Sequence, residues 1–174
     1  MIVVVAGVAG SGKTTVGQVL ATRLGWIFAD GDSFHPAASV AKMRAGLALT
    51  DDDRGPWLAA ITSWMDDVIA SGQSAVLAGS ALKRRYRDEL LAGREQVQLV
   101  FLVISKGKCE ARLAARTGHF FNKQLLASQF GDLELPQDEP RVHQIEVDDR
   151  PAAQIATAII RLLGLEPAGH PQAS

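Results

Sequence analysis

Apolar positions in this chain alternate between two periods, one typical of buried strands and one of helices. Ile2-Val3-Val4-Val5-Ala6 is an unbroken, largely β-branched run, the pattern of a strand covered on both faces. Val16, Val19, Leu20 and Leu24 then recur at helical spacing, and Gly25 follows where a left-handed residue can end the helix. Trp26-Ile27-Phe28-Ala29 reads as a second strand. Residues 36–46 predict a short helix opened by Pro36 and stopped by Gly46. Leu58, Ile61, Met65, Val68 and Ile69 predict a longer helix ending at Gly72. Ala75-Val76-Leu77-Ala78 and residues 97–104 are third and fourth strands, joined by a charged helix over about 82–91. Residues 110–116 are helical in character, and 117–139 have mixed polarity with several interruptions. Residues 142–147 give a fifth strand and 151–163 a closing amphipathic helix. Strands alternating with helices predict an α/β fold, a parallel five-stranded sheet flanked by helices.

Composition narrows this picture. With 174 residues, 47% of them hydrophobic, the chain can bury one good core, so a single domain over residues 1–165 is expected, with a flexible tail from 166 to 174. A formal net charge of −1 excludes a global field that would recruit nucleic acid or an anionic membrane. Cys109 is the sole cysteine, which excludes an internal disulfide framework and a cysteine zinc site and suits a reducing cytoplasm. The N-terminal apolar run is too short and lacks the basic flank of a signal peptide, and no stretch has the 18 or so apolar residues of a membrane span. A soluble, cytoplasmic protein is expected.

The chemistry concentrates where the first strand ends. Gly7-Val8-Ala9-Gly10-Ser11-Gly12-Lys13-Thr14 fits G-x-x-x-x-G-K-[ST] and lies between the strand and the helix that a phosphate-binding loop requires. Its glycines let the backbone bend around a phosphate, and the following helix N-terminus favours anions. Lys13 can reach the outer phosphates, and the Thr14 hydroxyl is placed to join a magnesium ion. The loop and the adjoining Thr15 form the predicted nucleotide site.

Asp30-Gly31-Asp32 stands at the carboxyl end of the second strand, the edge at which α/β sheets bind ligands. Residues two apart in extended chain project to one side, so both carboxylates are expected to face the cleft. One would hold magnesium through water and the other orient or deprotonate an attacking hydroxyl; a turn with a helix cap is the competing reading. The third strand ends in Leu77-Ala78-Gly79-Ser80 with no Asp, which shifts the metal-linked role onto this pair. Arg54, Lys83, Arg87, Arg112 and Arg116 fall near strand ends or ahead of the interrupted region, where they could bind carboxylate or phosphate. Taken singly, each is more at home as a solvated surface residue. Arg112 and Arg116 are four apart, just before His119-Phe120-Phe121, in a segment suited to closing over a nucleotide. Asp51-Asp52-Asp53 reads mainly as a helix cap, and His35 either bonds a substrate hydroxyl or helps start the helix at Pro36.

Further pieces recur in order: Gly25-Trp26, His35-Pro36, Lys42-Met43, Gly46, Asp51-x-Asp53-Arg54-x-Pro56-Trp57-Leu58, Ser80-Ala81-Leu82-Lys83, Tyr86-Arg87-Asp88, Gly118-His119-Phe120, Ser128-Gln129-Phe130, Leu133-Glu134 and Asp138-Glu139. With the loop and the Asp-Gly-Asp step, the chain resembles the gluconate kinases among the small P-loop kinases, from Ile2 to about Leu163. The resemblance implies an adenylate-kinase-like fold with a lid near 117–139, and a homodimer. It also implies ATP-dependent phosphorylation of D-gluconate at its terminal hydroxyl. On that basis Thr14 and Asp30 would organise Mg2+, while Lys13, Asp32 and Arg116 would act in transfer. Asp32, His35, Arg54, Ser80, Lys83, Arg87 and His119 would bind the acid, and Arg112 would cover ATP, with residues 148–151 bordering the adenine. Ser39 stands where the family usually has Asn, and Gly79 where Cys is frequent. Related small kinases of shikimate or nucleosides, and a nucleotide-dependent switch, are the competing functions.

Overall fold

All five residues of β1 (Ile2–Ala6) are buried, because the strand lies in the middle of a sheet whose two faces are covered. In the computed structural model, which describes residues 1–115, 123–147 and 149–168, β1 is joined by β2 (Ile27–Asp30), β3 (Ala75–Gly79), β4 (Val97–Val103) and β5 (Val142–Glu146). All pairings are parallel, in the order β2-β3-β1-β4-β5. Ala6 is level with Gly79 on one side and Phe101 on the other, so the carboxyl ends of the three central strands form one edge. The chain runs outward from β1 in both directions, and the phosphate loop leaves the sheet at that point of divergence, the usual place for a ligand in an open α/β sheet.

The sheet is flanked by α1 (Lys13–Leu24), α2 (Ala37–Arg44), α3 (Asp51–Ala70), α4 (Arg84–Leu91), α5 (Lys106–Ala114), α6 (Lys123–Gly131) and α7 (Ala152–Leu162). α1 buries Val16, Leu20 and Leu24 and packs against β3 and α7, which supplies Ile155, Ala156 and Ile159. The apolar periodicity thus marks the faces that make the core.

Several boundaries differ from the sequence reading for local reasons. The long helix begins at Asp51 because Thr50 and Asp53 form a reciprocal capping box. Pro56 is accommodated inside it, where both Pro56 and Asp52 are exposed, so water can serve the carbonyl that proline cannot. α5 starts at Lys106 because the Ser105 side chain accepts from the Lys108 amide. Part of the interrupted stretch is the helix α6. Residues 166–168, expected to be loose, lie against the end of α1, where the Ala168 amide donates to the Arg23 carbonyl at 2.9 Å. No described helix is long and apolar enough to cross a membrane.

Candidate active site

Two kinds of support shape the phosphate loop. From the sheet side, the Gly7 amide donates to the Ser80 carbonyl at 3.3 Å. From α5, Cys109 and Leu113 press so closely on Gly10 that a Cβ there would lie 3.1 Å from each. Gly12 caps α1 with φ at 94°, a left-handed conformation costly for other residues, and offers no side chain to satisfy the first helical amides. Those amides are therefore suited to an anion. The Lys13 Nζ lies 3.5 Å from the Val8 carbonyl, curled over the loop. Ser11 is fully buried, so it can offer its backbone rather than its hydroxyl.

Asp30 and Asp32 do not share an extended segment. β2 ends at Asp30, and Gly31–Phe34 form a 3-10 turn capped by the Asp30 carboxylate, which accepts from the Asp32 amide at 3.0 Å. The turn sends the two carboxylates to different tasks. Asp30 faces the loop, where its second oxygen accepts from the Thr14 hydroxyl at 3.2 Å. Asp32 instead lines a cavity of about 200 Å³ with Lys13, His35, Arg54, Trp57, Ser80, Ser128 and Gln129. Gly31 makes this turn fit: a Cβ there would come within 2.7 Å of the Ala78 carbonyl, and the Gly31 carbonyl accepts from the buried Trp57 indole at 2.7 Å.

His35 stacks on Trp57 with centroids 5.0 Å apart and planes 10° from parallel. Burial lowers its pKa from the usual value; Asp32 opposes this and Arg54 adds to it. Its Nδ1 is buried without a hydrogen-bond partner among the described residues, next to the cavity. Arg54 reaches the same cavity from α3, held by the Tyr86 hydroxyl at 3.0 Å and Asp132 at 3.0 Å. Lys83 is a step behind, paired with Asp51 at 3.1 Å and Asp132 at 3.3 Å. Asp51, expected as a cap, also accepts from Tyr86 and Arg85, and these bonds, the Tyr86 bond foremost, hold its carboxyl well below the usual range.

Arg87 does not line the cavity. It is fully buried, and its guanidinium forks Glu139 at 2.6 and 2.7 Å while donating to the Ala81 and Leu82 carbonyls at 3.2 and 2.8 Å. With every side of the fork occupied, it braces the 80–83 loop, where Ala81 has φ at 36°. Hydrogen bonding from Arg87 is the main cause that holds the Glu139 carboxyl below the usual carboxylate range. Glu139→Gln is expected to destabilise the fold by about 3–5 kcal/mol at pH 7, because it strands a buried guanidinium. The depressed carboxyl contributes fully above about pH 4.5 and loses its contribution as pH falls through the lowered folded value. The gap in denaturant midpoint between variant and parent should therefore narrow below that pH.

On the other side of the loop, Gly10, Gly12, Thr15, Arg112 and Arg150 line a groove of about 360 Å³. Arg112 donates to the Ser11 carbonyl at 3.3 Å, and Arg150 brings the segment expected at the adenine to this groove. Arg116 and His119 lie outside the described residues. Sequence reasoning gave no role to Trp57, Ser128, Gln129 or Asp132, all of which reach the cavity beside Lys13 and Asp32 or its cations.

Comparison with known proteins is consistent with this geometry. The AAA-domain family profile matches residues 2–135. The gluconokinase of Gluconobacter oxydans is 46% identical over 148 residues, covering 85% of this chain and 83% of that protein. The thermoresistant gluconokinase of Escherichia coli is 38% identical over 159 residues, or 91% of each chain. The crystal structure of a gluconokinase from Sinorhizobium meliloti aligns with a TM-score of 0.83 at 41% identity, over 93% of this chain and 90% of that one.

Proposed function

The chain belongs to the gluconokinase family of P-loop kinases, and from that premise we propose that it transfers the terminal phosphoryl group of ATP to the terminal hydroxyl of D-gluconate, releasing 6-phosphogluconate and ADP. The observation that carries the reading is the single cavity in which Lys13 of the phosphate loop faces Asp32, His35 and Arg54. Cation, hydrogen-bonding ring and carboxylate are what a polyhydroxy acid needs for recognition, and the phosphate lysine stands beside them.

The loop amides and Lys13 bind and neutralise the phosphates, and Asp32 orients the acceptor hydroxyl for in-line attack. Arg54 pairs with the carboxylate, while the Nδ1 of His35 serves a hydroxyl. Arg112 closes the nucleotide side. Thr14 and Asp30 present only hard oxygen donors, 3.2 Å apart, which fits magnesium held mostly by water and phosphate. When bound, that ion neutralises charge on the transferring group. The reading extends to a cytoplasmic homodimer, on the support of the family resemblance.

Magnesium-dependent ADP release tests it, with D-gluconate, shikimate and a nucleoside offered separately. Stimulation by gluconate alone is expected; equal rates without any acceptor would favour a switch.

A further inference from the structure

The phosphate loop has two sides in this structure. Gly10, Ser11 and Gly12 line the nucleotide groove, whereas Ala9 and Lys13 line the acid cavity. The bend between Ala9 and Gly10 is thus where a terminal phosphoryl group bound by the loop would meet an acceptor hydroxyl. One side chain from outside the loop bonds there: the Ala9 amide donates to the Oε1 of Gln129, on α6, at 2.7 Å. Because that amide is a donor, the Gln129 oxygen must face it, and the two hydrogens of Nε2 are left without a partner among the described residues. The side chain is half-buried and lines the cavity with Lys13 and Asp32.

We propose that Gln129 is a further catalytic residue: its Oε1 fixes it on the phosphate loop through Ala9, and its Nε2 donates to the phosphoryl group in transfer. Lys13 supplies charge from the loop side, and Gln129 supplies a neutral, directional donor from α6. The bond to Ala9 sets that donor before any ligand arrives, so no reorganisation is needed as charge shifts during transfer. The same bond ties α6 to the loop, so placement of α6 and readiness for transfer become one event.

The proposal rests on the kinase reading above, so the parent enzyme is assayed in parallel. If the parent gives no gluconate-dependent ADP release, it is that reading which fails. In Gln129→Glu the acceptor for Ala9 is retained while the donors become a negative charge beside the phosphoryl group. At pH 8 its kcat is expected to fall by about 100-fold, the scale of losing one such donor, with an unchanged melting temperature. The deficit should shrink towards pH 5, because a protonated Glu regains a donor. A tether whose amide never reaches the phosphoryl group would leave Gln129→Glu active, so a kcat within threefold of the parent, or a deficit that ignores pH, overturns the proposal. Should Gln129→Glu not fold, Gln129→Met, which removes tether and donors together, still overturns the proposal if its kcat stays within threefold of the parent.

Discussion

Replacing Lys13 by alanine is expected to abolish measurable turnover, with kcat/KM falling by about 10³-fold or more, since phosphoryl transfer depends almost entirely on positioning and charge neutralisation. Nucleotide binding should weaken in the same variant. The Lys13 ammonium curls over the loop at 3.5 Å from the Val8 carbonyl and borders the cavity shared with Asp32, so under the proposed mechanism it would serve the ground state as well as the transfer. Lys13→Ala removes that charge without touching the core, because the residue is only half-buried. Titration calorimetry with ATP and a coupled ADP assay read the two effects. Tight ATP binding with normal turnover would remove the loop from the mechanism.

Asp32→Asn is expected to separate these quantities. The carboxylate lines the acid cavity, whereas Asp30 is the acid that bonds Thr14. Loss of a group that orients or deprotonates the acceptor lowers turnover by about 10²–10⁴-fold. ATP affinity should stay within about twofold, because the loop amides, Lys13 and Thr14 are unchanged. The Asp32 backbone amide, which caps onto Asp30, is retained in Asn, so the turn should persist. Equal losses of turnover and ATP affinity would argue that Asp32 serves the nucleotide instead.

These residues were legible in the sequence to different degrees, for physical reasons. The phosphate loop is encoded by residue types that its backbone geometry demands, so Gly7 to Thr14 could be read directly. The Asp30-Gly31-Asp32 step was legible as a position at the sheet edge but not as a shape: the extended-strand rule gave the wrong geometry, because Asp30 turns back to cap a 3-10 turn. Arg87 shows the limit for charged residues. Its spacing near Lys83 suggests an anion site, yet its partner Glu139 lies 52 positions along the chain, and burial comes from that pairing. Gln129 carries no charge and sits in a helix of mixed polarity, so its residue type gave no signal; only the Ser128-Gln129-Phe130 match pointed near it. The sheet order was equally hidden, since β3 inserts between β1 and β2 although β2 follows β1 in sequence.

The central place of β1 also bears on how variants should be interpreted. The loop springs from a strand hydrogen-bonded on both flanks, and its first amide is held by the Ser80 carbonyl just beyond β3. Its curvature is thus inherited from the whole sheet rather than moulded by whatever it grips. A cavity opened far away, beneath Leu77 or Leu99, would slacken the cradle and weaken nucleotide binding without removing a single contact to it. Weakened binding alone therefore does not identify a contact residue here; the diagnostic variants are those that lose binding while their sheet melts at the parent's temperature.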